Sequence, residues 1–584
     1  MNNFFKAFFA SLLAIFVFML IGFLVLLVVV SSITSEDKQE TGSNAVLVID
    51  LGKPYLEITD ANPIAAISQN EDFEIPSLYH VIRMIETAAK DSAVKGIYLQ
   101  CGANANGFAA SDEIRNALLQ FKDNGKFIYA YADVIPQNAY HVANVATRIY
   151  CNPQGGLEWQ GFSMELFFLK GMLEKLEIEP QIFYAGKFKS ATEPFRETEM
   201  TEPNRIQTRE LLGDLYGYFL TKTAEQRKID TASLHRYANE QLIRFASDAV
   251  TYKLIDGTRY DDQVKDELKD KLKVGKFEKL NFISLSKYGK AENFRLKGKD
   301  KIAVIFAQGN IIDGKGERTD IGSESYRNII RQVRLDKSIK AIVFRVNSGG
   351  GSALASENIW RELTLAKQDK PVILSFGDVA ASGGYYLAAN ADSIFAQPNT
   401  ITGSIGVFTL IPNMQKFFNN KLGITFDEVS TSPNADMFSV SKPLTPMQRR
   451  FIQEGVDSIY HIFKTRVAEG RDLDMNYVDS IGQGRVWSGI RAVELGLVDK
   501  IGGLNDAIAA AASMAKSSDY RVREYPQAQT LMEMLFGTTT ETIKQNAIKE
   551  EIGAETWRIH QTIQRVKAMI GTAQTKIPFE FSFD

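Results

Sequence analysis

The residues with the plainest chemical potential in this chain are a serine, a pair of lysines and two runs of glycine. Ser382 stands in Asp378-Val379-Ala380-Ala381-Ser382-Gly383-Gly384-Tyr385-Tyr386, between the apolar run Val372 to Phe376 and the helix-like stretch Tyr385 to Ala391. At a strand-to-helix junction a serine lies beside backbone N–H groups that lack intrahelical partners, and such groups can hold an oxyanion. Gly383 and Gly384 remove the side chains that would block a substrate carbonyl. A second glycine run, Asn347-Ser348-Gly349-Gly350-Gly351, leaves another apolar strand and offers a second set of backbone donors. It is not a phosphate cradle of the P-loop kind, since Ser352 and Ala353 follow Gly351 in place of Lys-Ser/Thr. Alone, a Ser-Gly-Gly turn is more often a helix cap than a nucleophile. Two glycine-lined strand ends, one of them carrying a serine, outline an acyl-transfer site.

A serine hydroxyl needs a base. The five histidines, His80, His141, His235, His461 and His560, are all distant in sequence from these motifs. A lysine kept neutral by burial serves as well as a histidine. Phe183-Tyr184-Ala185-Gly186-Lys187-Phe188-Lys189-Ser190-Ala191 sets two lysines among aromatic and small residues. The same stretch also reads as a solvated lysine pair on an edge strand.

Composition narrows the chemistry further. The 584 residues carry 67 Lys+Arg against 70 Asp+Glu, a net charge of -3, so no excess of positive charge favours nucleic acid. Two cysteines, Cys101 and Cys151, make neither a disulfide framework nor a four-ligand zinc site, and the histidines lack metal-ligand spacing. No cofactor and no metal are expected. From Ala7 to Ser35 there is no charged residue. The apolar core from Phe8 to Val30 exceeds a signal-peptide h-region and is long enough to cross roughly 30 Å of hydrocarbon. Lys6 before it, with Glu36 and Asp37 after it, place the amino terminus in the cytoplasm and the remainder outside the plasma membrane.

The rest of the chain alternates short apolar strands with amphipathic helices, which predicts an α/β fold with sheets covered on both faces. It also repeats. Adding 245 carries Val94-Lys95-Gly96-Ile97 onto Ile339-Lys340-Ala341-Ile342, Ser111 onto Ser356, Asp133 onto Asp378, Pro153 onto Pro398 and Gly161 onto Gly406. An offset of 243 carries Lys253-Leu254-Ile255-Asp256 onto Gly496-Leu497-Val498-Asp499. A constant register through loops as well as strands marks a duplication. The expected divisions are a stub 1–6, an anchor 7–35, a linker 36–43, repeats 44–296 and 297–516, and an extension 517–584 with helical periodicity from Glu541 to Met569. The copies differ where chemistry should sit: Gln137 answers Ser382, and Gly102-Ala103-Asn104-Ala105-Asn106 answers the glycine run. The first copy has no nucleophile of its own.

Gly186 to Phe195, Asp378 to Tyr385, and Thr402-Gly403-Ser404-Ile405-Gly406-Val407 resemble, in order and spacing, the signature segments of the signal peptide peptidase SppA family in its long, duplicated form. The resemblance covers nearly the whole chain. It implies tandem ClpP/crotonase-like domains and a serine endopeptidase of the Ser-Lys dyad type. Ser382 then falls on the nucleophile and Lys189 on the general base. Ser404 falls on a serine that holds the lysine, and Gly350 and Gly383 fall on the oxyanion donors. One departure is Gly349, where the family usually has proline. The resemblance further implies a membrane-tethered homotetramer acting on signal peptides left in the membrane. Two other readings stand beside it: a crotonase-like acyl-thioester enzyme, which would need neither Ser382 nor Lys189, and a non-catalytic membrane scaffold, in which the glycines only make turns.

Overall fold

The structure is a computed structural model, and it describes residues 2–34, 40–58, 75–527 and 571–577. The periodic stretch Glu541 to Met569 lies outside the described residues. Near the amino terminus, Asn2–Thr34 forms one helix whose segment Phe4–Gly22 is long and apolar enough to span a membrane. Its described side chains, such as Phe8, Leu12 and Phe16, are exposed.

The expected α/β architecture and duplication are both present. In the first copy, β1 (Ala45–Asp50), β2 (Val94–Gln100), β3 (Phe127–Ile135) and β4 (Arg148–Leu157) form a parallel sheet. β5 (Glu179–Ala185) departs from it, while β6 (Gly257–Thr258) and β7 (Phe282–Ser284) complete the order β6-β4-β3-β2-β1-β7. The central strands carry buried residues on both faces because helices cover each side, as parallel sheets require.

The second copy starts with β8 (Asp300–Gln308), β9 (Ile311–Ile312) and β10 (Ile321–Gly322). β11 (Ile339–Ser348), β12 (Gly350–Ser352), β13 (Val372–Ala381) and β14 (Ser393–Ala396) follow, then β15 (Ile401–Gly403), β16 (Val407–Asn413), β17 (Val486–Ser488), β18 (Lys500–Ile501) and β19 (Tyr520–Tyr525). Its main sheet runs β17-β15-β13-β11-β8-β19, with β14 beside β13. β19 pairs in parallel with β8 from Tyr520 opposite Asp300 to Tyr525 opposite Ile305. The second unit therefore extends past 516, where the repeat was expected to close, because β8 needs a partner on its outer edge as β1 has in β7.

Equivalent interactions recur at the offsets read from the sequence. Tyr140 donates its hydroxyl to Leu254 O (2.5 Å) and Tyr385 to Leu497 O (2.9 Å). Ile149 N–H donates to Asp256 Oδ2 (2.8 Å) and Ile394 N–H to Asp499 Oδ2 (2.7 Å).

The copies are not separate bodies. β5 runs antiparallel to β16, from Ala185 opposite Val407 to Glu179 opposite Asn413, so a first-copy strand is the edge of a second-copy layer. That layer has the order β10-β9-β12-β20-β16-β5, where β20 is Gln574–Lys576. At the other contact, Arg345 on β11 is fully buried and reaches Glu57 Oε1 (2.7 Å) and Glu113 Oε1 (2.5 Å) of the first copy. It also donates to Phe376 O (2.9 Å) and Ser375 Oγ (3.0 Å). Removing one member of such a cluster leaves buried charges unpaired, at a cost of about 3–5 kcal/mol. Arg345→Met is thus expected to lower the midpoint of chemical unfolding far more than a surface Arg→Met change. A shift no larger than the surface control would show that this cluster does not hold the copies together.

Candidate active site

β13 ends at Ala381 and a short helix, Gly383–Ala388, follows at once. The turn between them is Ser382 alone, at φ 54° and ψ −113°. A non-glycine residue there costs about 1–3 kcal/mol and persists only where the surroundings over-determine it. Here the Ser382 N–H donates to Gly403 O (2.7 Å) and Ser382 O accepts from Tyr386 N–H (2.8 Å). The serine is 0% exposed.

Lys189 follows β5 by four residues and is brought in by the β5–β16 pairing. Phe188 N–H donates to Gln483 O (2.8 Å), and Gln207 Nε2 donates to Phe188 O (3.1 Å) and Ser190 Oγ (2.9 Å), so the backbone on both sides of the lysine is held. The side chain runs through a passage made of absent side chains. A Cβ on Gly484 would stand 2.7 Å from Lys189 Cα, and one on Gly406 would stand 3.1 Å from Lys189 Cδ. At its end, Nζ lies 2.8 Å from Ser382 Oγ, 3.1 Å from Ser404 Oγ and 3.3 Å from Ser404 O.

A neutral amine has two N–H donors and one lone pair. Donation to the two Ser404 oxygens leaves the lone pair for the Ser382 hydroxyl. All three partners are uncharged, and burial pulls the Lys189 pKa down from 10.5 to about 7. Lys187, two residues earlier, is exposed over the Phe188 ring, so the solvated reading suits it and not Lys189.

Ser404 is also at positive φ (50°), with its N–H donated to Arg485 O (2.7 Å). Gly383 opens its helix, so its N–H has no intrahelical acceptor. Gly350 differs from expectation: its N–H donates to Ser348 Oγ (3.1 Å), which in turn donates to Gly309 O (2.7 Å). The hydroxyl of Ser348 closes back on the turn and occupies the donor assigned to Gly350. Gly350 and Gly351 both pair with β20, opposite Lys576 and Thr575.

Two contributions were not legible as site features. Asp378, half-buried four residues before Ser382, accepts from the Ala109 and Ala110 N–H groups (both 2.9 Å) of the first-copy helix Phe108–Asp123. A Cβ on Gly107 would collide with that carboxylate. In the first copy, Gln137 fills the position of Ser382, accepting from the Gln160 and Gly161 N–H groups (3.0 and 3.1 Å) and donating to Gly161 O (3.1 Å). A side-chain amide thus satisfies the vestigial site internally.

The passage that admits Lys189 gives a direct test. Gly484 sits at φ 78°, and a Cβ there meets the lysine backbone. Displacement of a catalytic group by about 1 Å costs on the order of a hundredfold in rate. Gly484→Ala is expected to lower kcat by about that factor on any peptide the enzyme cleaves. Unchanged kcat would show that Lys189 need not occupy this position.

Comparison with known proteins gives the family. The model of peptidase family S49 matches residues 120–275 and again 364–518, once in each copy. A protein named Protease 4 from Haemophilus influenzae is 35% identical over 84% of this chain and 82% of its own length. Serine protease SPPA, chloroplastic, from Arabidopsis thaliana is 34% identical over 73% of this chain and 64% of its own. Among solved structures, a ClpP1 mutant from Listeria monocytogenes is similar over 35% of this chain and 94% of its own, at 15% identity and a TM-score of 0.24. With the family matched in both halves and a relative aligned over most of both chains, the protein belongs to peptidase family S49 and is a serine-type endopeptidase.

Proposed function

We propose that Ser382 is the nucleophile and Lys189 the general base of this endopeptidase, with Ser404 orienting the lysine. One observation carries the reading: a fully buried lysine, with no counter-charge among its hydrogen-bonding partners, lies 2.8 Å from the Oγ of a buried serine. In the first step Ser382 Oγ attacks the peptide carbonyl carbon while Lys189 Nζ takes its proton. The oxyanion is held by the Gly383 N–H, which opens its helix without an intrahelical acceptor. As the intermediate collapses, the C–N bond breaks and Lys189 gives the proton to the leaving amine. Water then attacks the acyl-enzyme, loses its proton to Lys189, and Ser382 leaves as the hydroxyl.

Apolar peptides, and signal peptides left in a membrane above all, are the proposed substrates. The apolar Asn2–Thr34 helix supports this, since it would hold the catalytic copies at a bilayer surface. Lys6 on one side of that helix and Glu36 and Asp37 on the other support an extracytoplasmic location for both copies, outside the plasma membrane. A homotetramer is proposed on the family resemblance alone.

Ser382→Ala and Lys189→Ala should each lower hydrolysis of an apolar peptide by at least about a thousandfold, the scale on which residues acting as one unit fail. Full activity in both variants would remove the dyad. The base works as the free amine, and the folded pKa of Lys189 lies below its ordinary value, at about 7. Activity should therefore plateau above that pH and fall about tenfold per unit below it. A flat kcat/KM profile down to about pH 5, two units below the plateau edge, on an enzyme that stays folded, would exclude Lys189 as the base.

A further inference from the structure

The chain that leaves the apolar helix enters the fold at one clamped point. Asn281 Nδ2 donates to Thr41 O (2.9 Å) and Ser43 O (3.1 Å), and Val46 N–H donates to Asn281 O (2.8 Å). Gly42 lies under this clamp at φ 70°, where a Cβ would stand 2.9 Å from Asn281 Nδ2. From Thr34, the last residue of the helix, to Thr41 is seven residues, at most about 25 Å of fully extended chain. The clamp therefore keeps this part of the first copy close to the end of the helix, and so to any bilayer the helix spans.

Sheet polarity decides which part that is. β1 and β7 are parallel, with Val46 opposite Phe282, so the entering chain and the loop before β7 lie together at the amino edge of the first sheet. β2, β3 and β4 run the same way. The carboxyl edge is taken by the second copy, through Glu57 on Arg345 and the Ala109 and Ala110 N–H groups on Asp378. The amino edge faces away from that junction, and it is basic. Lys95 and Arg148 are exposed at the starts of β2 and β4, and residues 269–281 carry five lysines against Asp270 and Glu278.

Within that stretch a turn follows the helix Asp261–Leu272. Lys269 Nζ donates to Lys276 O (2.7 Å), Gly275 N–H to Glu278 Oε2 (3.1 Å) and Glu278 N–H to Gly275 O (2.9 Å). These bonds close the turn and leave Phe277 at its tip, 97% exposed, with Lys273, Lys276 and Lys279 exposed around it. A lone exposed apolar side chain is ordinary. A phenyl ring held out among lysines, four residues from the clamp on the entering chain, has the composition of an interfacial lipid contact.

We propose that this turn is a lipid-contact site: Phe277 enters the headgroup boundary of the membrane that holds the Asn2–Thr34 helix, and Lys273, Lys276 and Lys279 bind anionic phospholipid headgroups around it. The inference rests on the reading of that helix as a membrane anchor. Its consequence is orientation. A single helix on a linker leaves the catalytic unit free to turn about its tether, whereas a second contact at the amino edge sets which edge of the first sheet meets the bilayer. Each lysine contributes about fivefold to occupancy of an anionic surface, and salt screens that contribution.

The test uses the full-length protein in lipid vesicles. Cys101 and Cys151 are buried, so Phe277→Cys can be labelled selectively with an environment-sensitive fluorophore. Phe451→Cys, at a site 60% exposed on the second-copy helix Pro446–Arg471, is the control. In vesicles of phosphatidylcholine mixed with phosphatidylglycerol, emission from the probe at 277 should shift to the blue and be quenched by brominated acyl chains. The quenching should exceed that in phosphatidylcholine alone and that of the probe at 451. Raising the salt should reverse the part that depends on phosphatidylglycerol. Lys273→Gln/Lys276→Gln/Lys279→Gln should abolish that part, and the corresponding changes to arginine should keep it. Quenching at 277 no greater than at 451 overturns the proposal, as does a phosphatidylglycerol dependence that survives the glutamine changes. Flotation separates this contact from the anchor: protein that does not rise with the vesicles defeats the anchor reading, whereas protein that rises with an unquenched probe at 277 defeats only the lipid contact.

Discussion

The burial of Lys189 without a counter-charge is the constraint on which the site depends. Taking an ammonium out of water is costly enough that the group gives up its proton instead. A nearby carboxylate would relieve that cost and raise the pKa again, leaving a salt bridge and no base. The site therefore needs a lysine enclosed by uncharged atoms, and its parts can be understood from that need. β5 is carried onto β16 so that the lysine approaches from within a layer rather than across a surface. Gly484 and Gly406 yield the space its stem requires. Ser404 supplies two neutral oxygens, enough to fix the direction of the lone pair without holding a proton on the nitrogen.

This need also gives a physical reason for the unequal repeat. In this chain Ser382 follows β13 of one copy's main sheet, while Lys189 follows β5, which lies in a separate layer. Bringing the lysine on a strand from the other copy separates the two tasks. Once the second copy holds the serine, the first copy's equivalent turn is released from catalysis, and Gln137 closes it with its own amide. The division creates a dependence: Lys189 lies beside Ser382 only while the copies are joined. Arg345 with Glu57 and Glu113, and Asp378 on the Ala109 and Ala110 N–H groups, join them close to the strand that carries the nucleophile.

Much of this was legible in the sequence, for identifiable reasons. Strands buried on both faces leave continuous apolar runs, and a duplication leaves a constant offset, so the α/β class and the repeat could be read directly. Ser382 stood out through its glycines, because close approach of a backbone restricts residue type. Lys189 was harder. Its local pattern matches a solvated pair, and what buries it is Gln483 to Gly484 and Gly406, far along the chain. The tie between Asp378 and the Phe108–Asp123 helix left no local signal, since the carboxylate caps a helix in the other copy. The end of the second unit was missed for a related reason: β19 has alternating charged residues in Tyr520–Tyr525 and reads as an exposed edge, which it is. The Gly350 donor could not be assigned from sequence, because whether Ser348 folds back on it is decided by the turn, not by the residue types.

Charge placement completes the account. Three ionisable side chains, Glu57, Glu113 and Arg345, are buried near the strands that lead to the glycine turns, with Asp378 half-buried beside them, and any of them facing the lysine would set its protonation. They face one another and the first copy instead. Arg345 is held charged by its two glutamates, and Asp378 takes two backbone N–H groups while burial pushes its pKa up. Lys189 is left with desolvation as the cause of its shift. The cluster at the junction between copies thus keeps its charges on one another, while the hydrogen-bonding partners of Lys189 are all uncharged. Structural cohesion and a usable base come from the same segregation, and a change that moved a carboxylate from one region to the other would damage both.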